Sequence, residues 1–159
     1  GNKGKLFYTQ ERVGKNGKIF KILKFRTMKT NAETNGAVFA AINDSRVTAF
    51  GKFLRKTRID EFPQFINILK GDMGVIGPRP ERPVFVKEIA EVMPFYETRH
   101  VIKPGLTGWA QVNYSYGETI NDSLIKLQYD LYYIKHRSIF LDINIIFKTI
   151  STVLFYRGQ

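Results

Sequence analysis

Arg58-Ile59-Asp60-Glu61-Phe62-Pro63-Gln64-Phe65-Ile66-Asn67-Ile68-Leu69-Lys70-Gly71 reads as a helix that opens on two adjacent carboxylates. Pro63 fits a first turn, where its missing N–H would have no helical partner anyway. Phe62, Phe65, Ile66 and Leu69 recur at helical spacing as an apolar stripe, and Gly71 suits a helix end. Asp60 and Glu61 thus stand at a helix N-terminus, whose positive dipole end stabilises carboxylates and equally attracts phosphate. Capping alone would account for such a pair at up to ~1 kcal/mol. It does not account for Arg55, Lys56 and Arg58 just upstream. Each cation lowers the pKa of a nearby carboxylate, so both acids are expected to be ionised. An ionised Asp can attack phosphorus or bind a hard cation such as Mg²⁺. Downstream, Gly77-Pro78-Arg79-Pro80 holds one arginine between two prolines, which lowers the entropy lost in presenting its phosphate-matching fork. Alone it reads equally as a rigid surface turn. Together these pieces point to phosphoryl transfer.

Upstream, Arg46 to Thr57 is expected to be helical, with Val47, Phe50 and Leu54 on one face. Residues 30–45 read as a loop or mobile segment. Leu6 to Thr9 and Ile19 to Phe25 are candidate strands, joined through Gly14-Lys15-Asn16-Gly17, where Asn-Gly favours a type I′ hairpin. Alternation at the end of the second strand puts Lys24 and Arg26 on one side, where they could clamp a diphosphate or serve as solvated edge charges.

Downstream, Gly74 to Pro83 reads as rigid and irregular, and Val84 to Met93 as a short helix stopped by Pro94. Lys103 to Gly108 reads as a loop leading into a strand at Trp109-Ala110-Gln111-Val112. Two long helices are expected at Asn121 to His136 and Ile139 to Tyr156. In the last, Ile139, Ile143, Ile146, Phe147, Ile150 and Leu154 share a face. Such a stripe usually packs on a core. The alternative is a helix lying on lipid, with Lys126, Lys135, Arg137, Lys148 and Arg157 favouring anionic head groups and the nearby tyrosines suiting a membrane interface. The fold class is α/β (α+β): one helix-rich domain with a short β-hairpin or small sheet and amphipathic helices suited to a membrane interface.

The chain has 159 residues, 25 Lys plus Arg against 14 acids, and a net charge of +11. Such a field favours polyanionic partners: nucleic acid, an anionic membrane or phosphorylated small molecules. With no cysteine there are no disulfides or thiolate zinc sites, and His100 and His136 are too few for a three-histidine centre. No uncharged apolar run reaches the ~18 residues of a spanning helix, and a signal peptide is not expected within these residues. EF-hand, His-Glu-x-x-His and Walker A patterns are missing. One or two carboxylates, completed by phosphate and water, match the usual Mg²⁺ arrangement.

Several blocks together resemble the bacterial sugar transferase family, the monotopic polyprenyl-phosphate phosphoglycosyl transferases. They are Gln10 to Gly14, Phe20 to Met28, Leu54 to Gln64, Gly71 to Met73, Gly77 to Glu81 and Lys103 to Val112, in order over nearly the whole chain. The resemblance implies transfer of a sugar 1-phosphate from a UDP-sugar to polyprenyl (undecaprenyl) phosphate, releasing UMP, as the first membrane step of glycan or exopolysaccharide assembly. It makes Asp60 the nucleophile that forms a phospho-sugar intermediate and Glu61 a base toward the lipid phosphate. It puts Mg²⁺ at the Asp60–Glu61 dyad, and Arg55 and Arg79 near phosphate. Residues 1–159 would be the catalytic domain of a larger member, at the cytoplasmic face of the bacterial inner membrane. The family's N-terminal re-entrant hydrophobic helix is not found before Leu6. A nucleic-acid-binding module is the alternative that charge and aromatic content permit, but no binding motif accompanies it, so nucleic acid is not expected as a partner. A homo-oligomer is left open, as is the identity of the sugar.

Overall fold

The computed structural model describes residues 4–32, 44–114 and 119–154. Strands β1 (Phe7–Val13) and β2 (Ile19–Phe25) form an antiparallel hairpin with Val13 opposite Ile19 and Phe7 opposite Phe25. At its tip Asn16 and Gly17 both take positive φ and the Lys18 N–H donates to the Lys15 carbonyl, as a type I′ turn requires. β1 runs four residues beyond the expected end at Thr9, because its ladder continues to Val13.

Helix α1 (Ala49–Lys56) starts where the Thr48 hydroxyl accepts from the Gly51 N–H. It is shorter than expected, since Val47 is spent on an extended bridge to Met28. Leu54 is buried, but Phe50 points outward with Phe53. The buried Gly51 explains the rotation: the helix is pressed against the chain after β2, and a Cβ at Gly51 would lie 2.0 Å from the Thr27 carbonyl oxygen. Gly51→Ala is therefore expected to cost about 3 kcal/mol, read as a fall in urea midpoint at constant m-value.

A 3₁₀ turn at Ile59–Glu61 precedes α2 (Gln64–Leu69), and Gly71 follows with φ +81. The stripe of α2 is inverted relative to a core helix. Gln64 (1 % exposed) and Asn67 face inward, whereas Phe62, Phe65, Ile66 and Leu69 (88 % exposed) face out. Asn67 makes this possible by acting as a strand would. Its amide donates to the Lys21 carbonyl and accepts from the Leu23 N–H, pinning α2 to the edge of β2.

Gly74–Ile76 is not irregular but a short strand, β3, parallel to β4 (Gly105–Thr107). Trp109-Ala110-Gln111-Val112 belongs to a helical turn, α4 (Trp109–Asn113), rather than a strand; pairing to β3 falls on the preceding loop residues instead. Helix α3 (Pro83–Val92) is capped off before Pro94 as expected, and α5 (Ile120–Lys135) and α6 (Ile139–Leu154) are the two long helices. A capping box between Thr119 and Asp122 starts α5. The main core joins Val13, Phe85, Val86, Ile89, Met93, Tyr96 and Leu127; a smaller one packs Phe20, Ile22 and Met73 with Ile68.

The stripe of α6 also faces out. Ile139, Ile143, Ile146, Phe147 and Ile150 are exposed, while Ile145 carries the inward contact. Core packing of that stripe is thereby overturned; the side chain of Leu154 lies outside the described residues, as do Phe155 to Arg157. Tyr133, counted among the interface aromatics, is buried with its hydroxyl donating to Asp142. Among the described residues no helix is long and apolar enough to cross a membrane. Most of the 30–45 loop, residues 33–43, lies outside the described residues.

Candidate active site

The dyad is placed by a reversal of the chain. After α1, Arg58 takes a left-handed conformation (φ 58), uncommon for a bulky residue, and turns the 3₁₀ segment inward. Asp60 and Glu61 end 7 % and 8 % exposed. Lys24 reaches them from β2 and Arg79 from the loop after β3. Lys24 Nζ lies 3.0 Å, and Arg79 Nη2 2.7 Å, from the same Glu61 oxygen, Oε1. Residues 24, 61 and 79, far apart in sequence, thus meet at one atom.

Their electrostatics differ from the sequence-based expectation for one acid. Burial alone would raise Glu61, but Arg79 and Lys24 override it and hold the carboxyl well below the usual range. Asp60 goes the other way. Burial pushes its carboxyl up, and the neighbouring Glu61 charge adds to this against the pull of Lys24, Arg55 and Arg58. Flanking cations were expected to lower both acids; at Asp60 desolvation wins. Burial also lowers Lys24, partly offset by Glu61, whereas Glu61 raises Arg79 further.

Asp60 Oδ1 is buried and makes no hydrogen bond, although it sits among cations. An unmade bond at a buried carboxylate oxygen is costly in a folded protein and marks an atom free to meet something else.

Arg55 does not touch the dyad. Its Nε donates to the Thr27 hydroxyl at 2.9 Å, and its charge reaches Asp60 only through space. Arg26 departs further. Its Nε donates to the Lys5 carbonyl and its guanidinium lies over the Tyr8 ring, so the expected Lys24–Arg26 clamp is not assembled. Two cations escaped sequence reasoning. Arg12, on β1, hydrogen-bonds the Pro80 carbonyl, and its charge is felt by both Lys24 and Arg79. Lys126, on α5, entered the sequence analysis only through the alternative of a helix lying on lipid, but Glu81 and Arg79 act on it electrostatically. No local pattern marks either, because both arrive by tertiary packing.

Among the described residues no three His, Asp or Glu side chains gather as a metal centre. The donor set is therefore the dyad alone. It fits a small hard cation that takes one or two carboxylates and draws its other oxygens from phosphate and water, as Mg²⁺ does. Asp60 Oδ1, buried without a hydrogen bond, is open to such a cation.

The sequence profile of one family, described as bacterial sugar transferase, matches residues 1–156. The chain belongs to the bacterial sugar transferase family. Relatives within it include the UDP-N-acetylgalactosamine-undecaprenyl-phosphate N-acetylgalactosaminephosphotransferase of Aeromonas hydrophila, 52% identical over 151 residues, covering 95% of this chain and 36% of the relative. The UDP-glucose:undecaprenyl-phosphate glucose-1-phosphate transferase of Escherichia coli (strain K12) is 43% identical over 151 residues, covering 92% of this chain and 32% of the relative. A putative undecaprenyl-phosphate N-acetylgalactosaminyl 1-phosphate transferase of Bacillus subtilis (strain 168) is 57% identical over 96 residues, 60% of this chain and 54% of the relative. The chain spans about a third of the length of the first two. The family resemblance carried by the Asp60–Glu61 and Arg79 blocks thus extends over residues 1–156.

Proposed function

We propose that this chain is the catalytic domain of a UDP-sugar:polyprenyl-phosphate sugar-1-phosphate transferase. The observation that carries the reading is the buried, unpartnered Oδ1 of Asp60 beside a Glu61 whose other neighbours are two phosphate-matching cations. Asp60 attacks the phosphorus that bears the sugar. The bond to the bridging oxygen breaks, its electron pair leaves with UMP, and an aspartyl phospho-sugar remains. A phosphate oxygen of the polyprenyl phosphate then attacks the same phosphorus, the Asp60 carboxylate departs, and a polyprenyl diphosphate sugar is formed.

A carboxylate approaching a diphosphate faces charge repulsion, so positive groups must offset it. Lys24 and Arg79 lean on Glu61 in the resting site and can turn to the donor's phosphate oxygens. Arg79 is the more accessible of the two, with a side chain 37% exposed against 18% for Lys24. Because Glu61 is held ionised so firmly, it suits anchoring these cations better than accepting a proton. Mg²⁺ would be held by Asp60 and Glu61 and would add charge neutralisation when bound.

The acceptor is a lipid, and three helices present apolar faces outward: Phe50 and Phe53 on α1, Phe65, Ile66 and Leu69 on α2, and Ile143, Phe147 and Ile150 on α6. With the +11 charge, these faces suit an anionic membrane surface, on the cytoplasmic side where UDP-sugars are made. Purified residues 1–159 are expected to sediment with vesicles containing anionic lipid and not with neutral ones. Replacing Leu69 and Phe65 together with Asp should weaken that binding at least about tenfold without changing the circular dichroism spectrum. Undiminished binding would remove α2 from the membrane face.

The activity is tested on the full-length protein in membranes, with UDP-glucose, UDP-galactose and UDP-N-acetylgalactosamine offered with undecaprenyl phosphate and Mg²⁺. UMP release with one of them, lost on chelation, is expected. Without acceptor, intact mass should show one sugar-phosphate added to the protein. No UMP from any donor overturns the reading.

A further inference from the structure

Arg99 lies in the 3₁₀ segment Tyr96–Val101 and is 4 % exposed. It was not marked by any motif, and the chemistry described so far does not use it. Both terminal nitrogens of its guanidinium have partners, while Nε is buried without a hydrogen bond. Nη1 donates to the Tyr96 hydroxyl at 2.7 Å, Nη2 lies 2.7 Å from Asp130 Oδ2 on α5, and the same Nη2 donates to the Arg79 carbonyl at 2.9 Å. A buried ion pair of this kind stabilises little more than a well-packed apolar pair would, so stability alone does not explain it.

What it does is evident from the backbone around Arg79. Pro78 and Pro80 offer no N–H, so the loop holds itself poorly. Its carbonyls are instead held one by one from outside. Pro78 O accepts from the Gly105 N–H, Arg79 O from Arg99, Pro80 O from Arg12 Nη1 at 3.1 Å, and Glu81 O from the Val13 N–H. Gly77 N–H adds a bond to the Thr107 carbonyl. Backbone donors hold the two ends, and two arginine side chains, Arg99 buried and Arg12 half-buried, hold the two middle carbonyls. Arg12 is itself steadied by Glu81 at 3.4 Å, as Arg99 is by Asp130.

We propose that Arg99 is a positioning residue for sugar-phosphate transfer: seated on Asp130 and Tyr96, it grips the Arg79 carbonyl and so aims the Arg79 fork at the dyad and the donor phosphates. The inference rests on the phosphate-binding reading of Arg79. A guanidinium that swings by about an ångström at a phosphoryl-transfer site loses on the order of a hundredfold in rate, so the grip matters at a distance from the reacting atoms. Lysine at position 99 keeps the charge for Asp130 but lacks the second arm.

The test is a double-mutant cycle in the full-length membrane protein, using Arg99→Lys, Arg79→Met and both together, with UMP release as the rate. Arg99→Lys alone should lower kcat about tenfold or more with KM for the UDP-sugar changed less. In the Arg79→Met background it should lower kcat less than about twofold, because the side chain it aims is gone. Equal losses in both backgrounds overturn the proposal and leave Arg99 a structural residue. A second measurement needs no turnover. Hydrogen–deuterium exchange over residues 77–82 should rise in Arg99→Lys while exchange in β1 and β2 stays at its wild-type level; unchanged exchange at 77–82 overturns the proposal. If Arg99→Lys does not fold, Asp130→Asn, which leaves an acceptor for Arg99 but removes its counter-charge, enters the same cycle and is judged by the same outcomes. Wild-type protein that releases no UMP counts against the transferase reading, whereas the exchange result still decides the grip.

Discussion

Asp60→Asn is expected to cut sugar-phosphate transfer by at least about a thousandfold and to leave the fold as stable as wild type, or more so. The loss follows from chemistry: a side-chain amide is no nucleophile toward phosphorus, and among the described residues Glu61, the carboxylate beside it, is tied up by Lys24 and Arg79. The stability half follows from burial. The folded protein holds the Asp60 carboxyl above its ordinary value, mainly by desolvation and then by the Glu61 charge. Ionised Asp60 therefore costs stability at neutral pH. That cost is absent below the ordinary value of 3.8 and accumulates as pH rises through the raised folded value. Asn removes it. Turnover and thermal melting at neutral pH check both halves. Retained transfer ends the nucleophile assignment, and a sharp fall in melting temperature would make Asp60 a structural group. A nucleophile kept at the expense of stability is what a functional site under selection predicts.

Arg79→Lys is expected to lower kcat by about a hundredfold, close to the loss on removing one preorganised donor at a developing charge. Lysine preserves the charge but not the planar pair of donors that phosphate oxygens accept. It also loses the short bond from Nη2 to Glu61. That bond leaves a second signature. Arg79 and Lys24 depress the Glu61 carboxyl despite its burial, so Glu61 contributes stability that is present above its ordinary value of 4.5 and is lost as pH falls through the depressed folded value. With the fork gone, the folded value moves back up. Less stability is then present at neutral pH, so the margin left to resist acid is smaller. Acid titrations of wild type and variant, followed by tryptophan fluorescence of Trp109, should show the variant unfolding at the higher pH. Coincident acid midpoints with full activity would separate Arg79 from both Glu61 and the donor.

The chemistry of the site was legible in sequence where it depends on neighbours along the chain. Adjacent carboxylates, the flanking cations, the proline-bracketed arginine and the Asn16-Gly17 turn are local signals, and the structure keeps each of them together. Lys24 was also legible, because strand alternation is a local rule; Arg26 is instead engaged by the Lys5 carbonyl and the Tyr8 ring, contacts that the alternation alone does not reveal. The ionisation of Asp60 was not legible. Counting cations along the chain leaves out the solvent that folding removes, and at this carboxyl desolvation is the larger effect.

The residues by themselves determined that α2 and α6 are amphipathic, that a carboxylate pair stands just upstream of the first of them, and that the chain is built from the blocks of the sugar transferases; the structure places that pair in a 3₁₀ turn of its own rather than in the first turn of α2. Only the tertiary structure decided which way those helices turn. A periodic stripe says that a helix has two unlike faces; it carries no information about which face meets the protein. Here Asn67 satisfies the edge of β2 and Gln64 fills the interior, so the apolar face of α2 is left outside. The same holds for Arg99 and Arg12, whose importance lies in carbonyls 20 and 68 residues away along the chain, distances over which only the folded backbone can specify a contact.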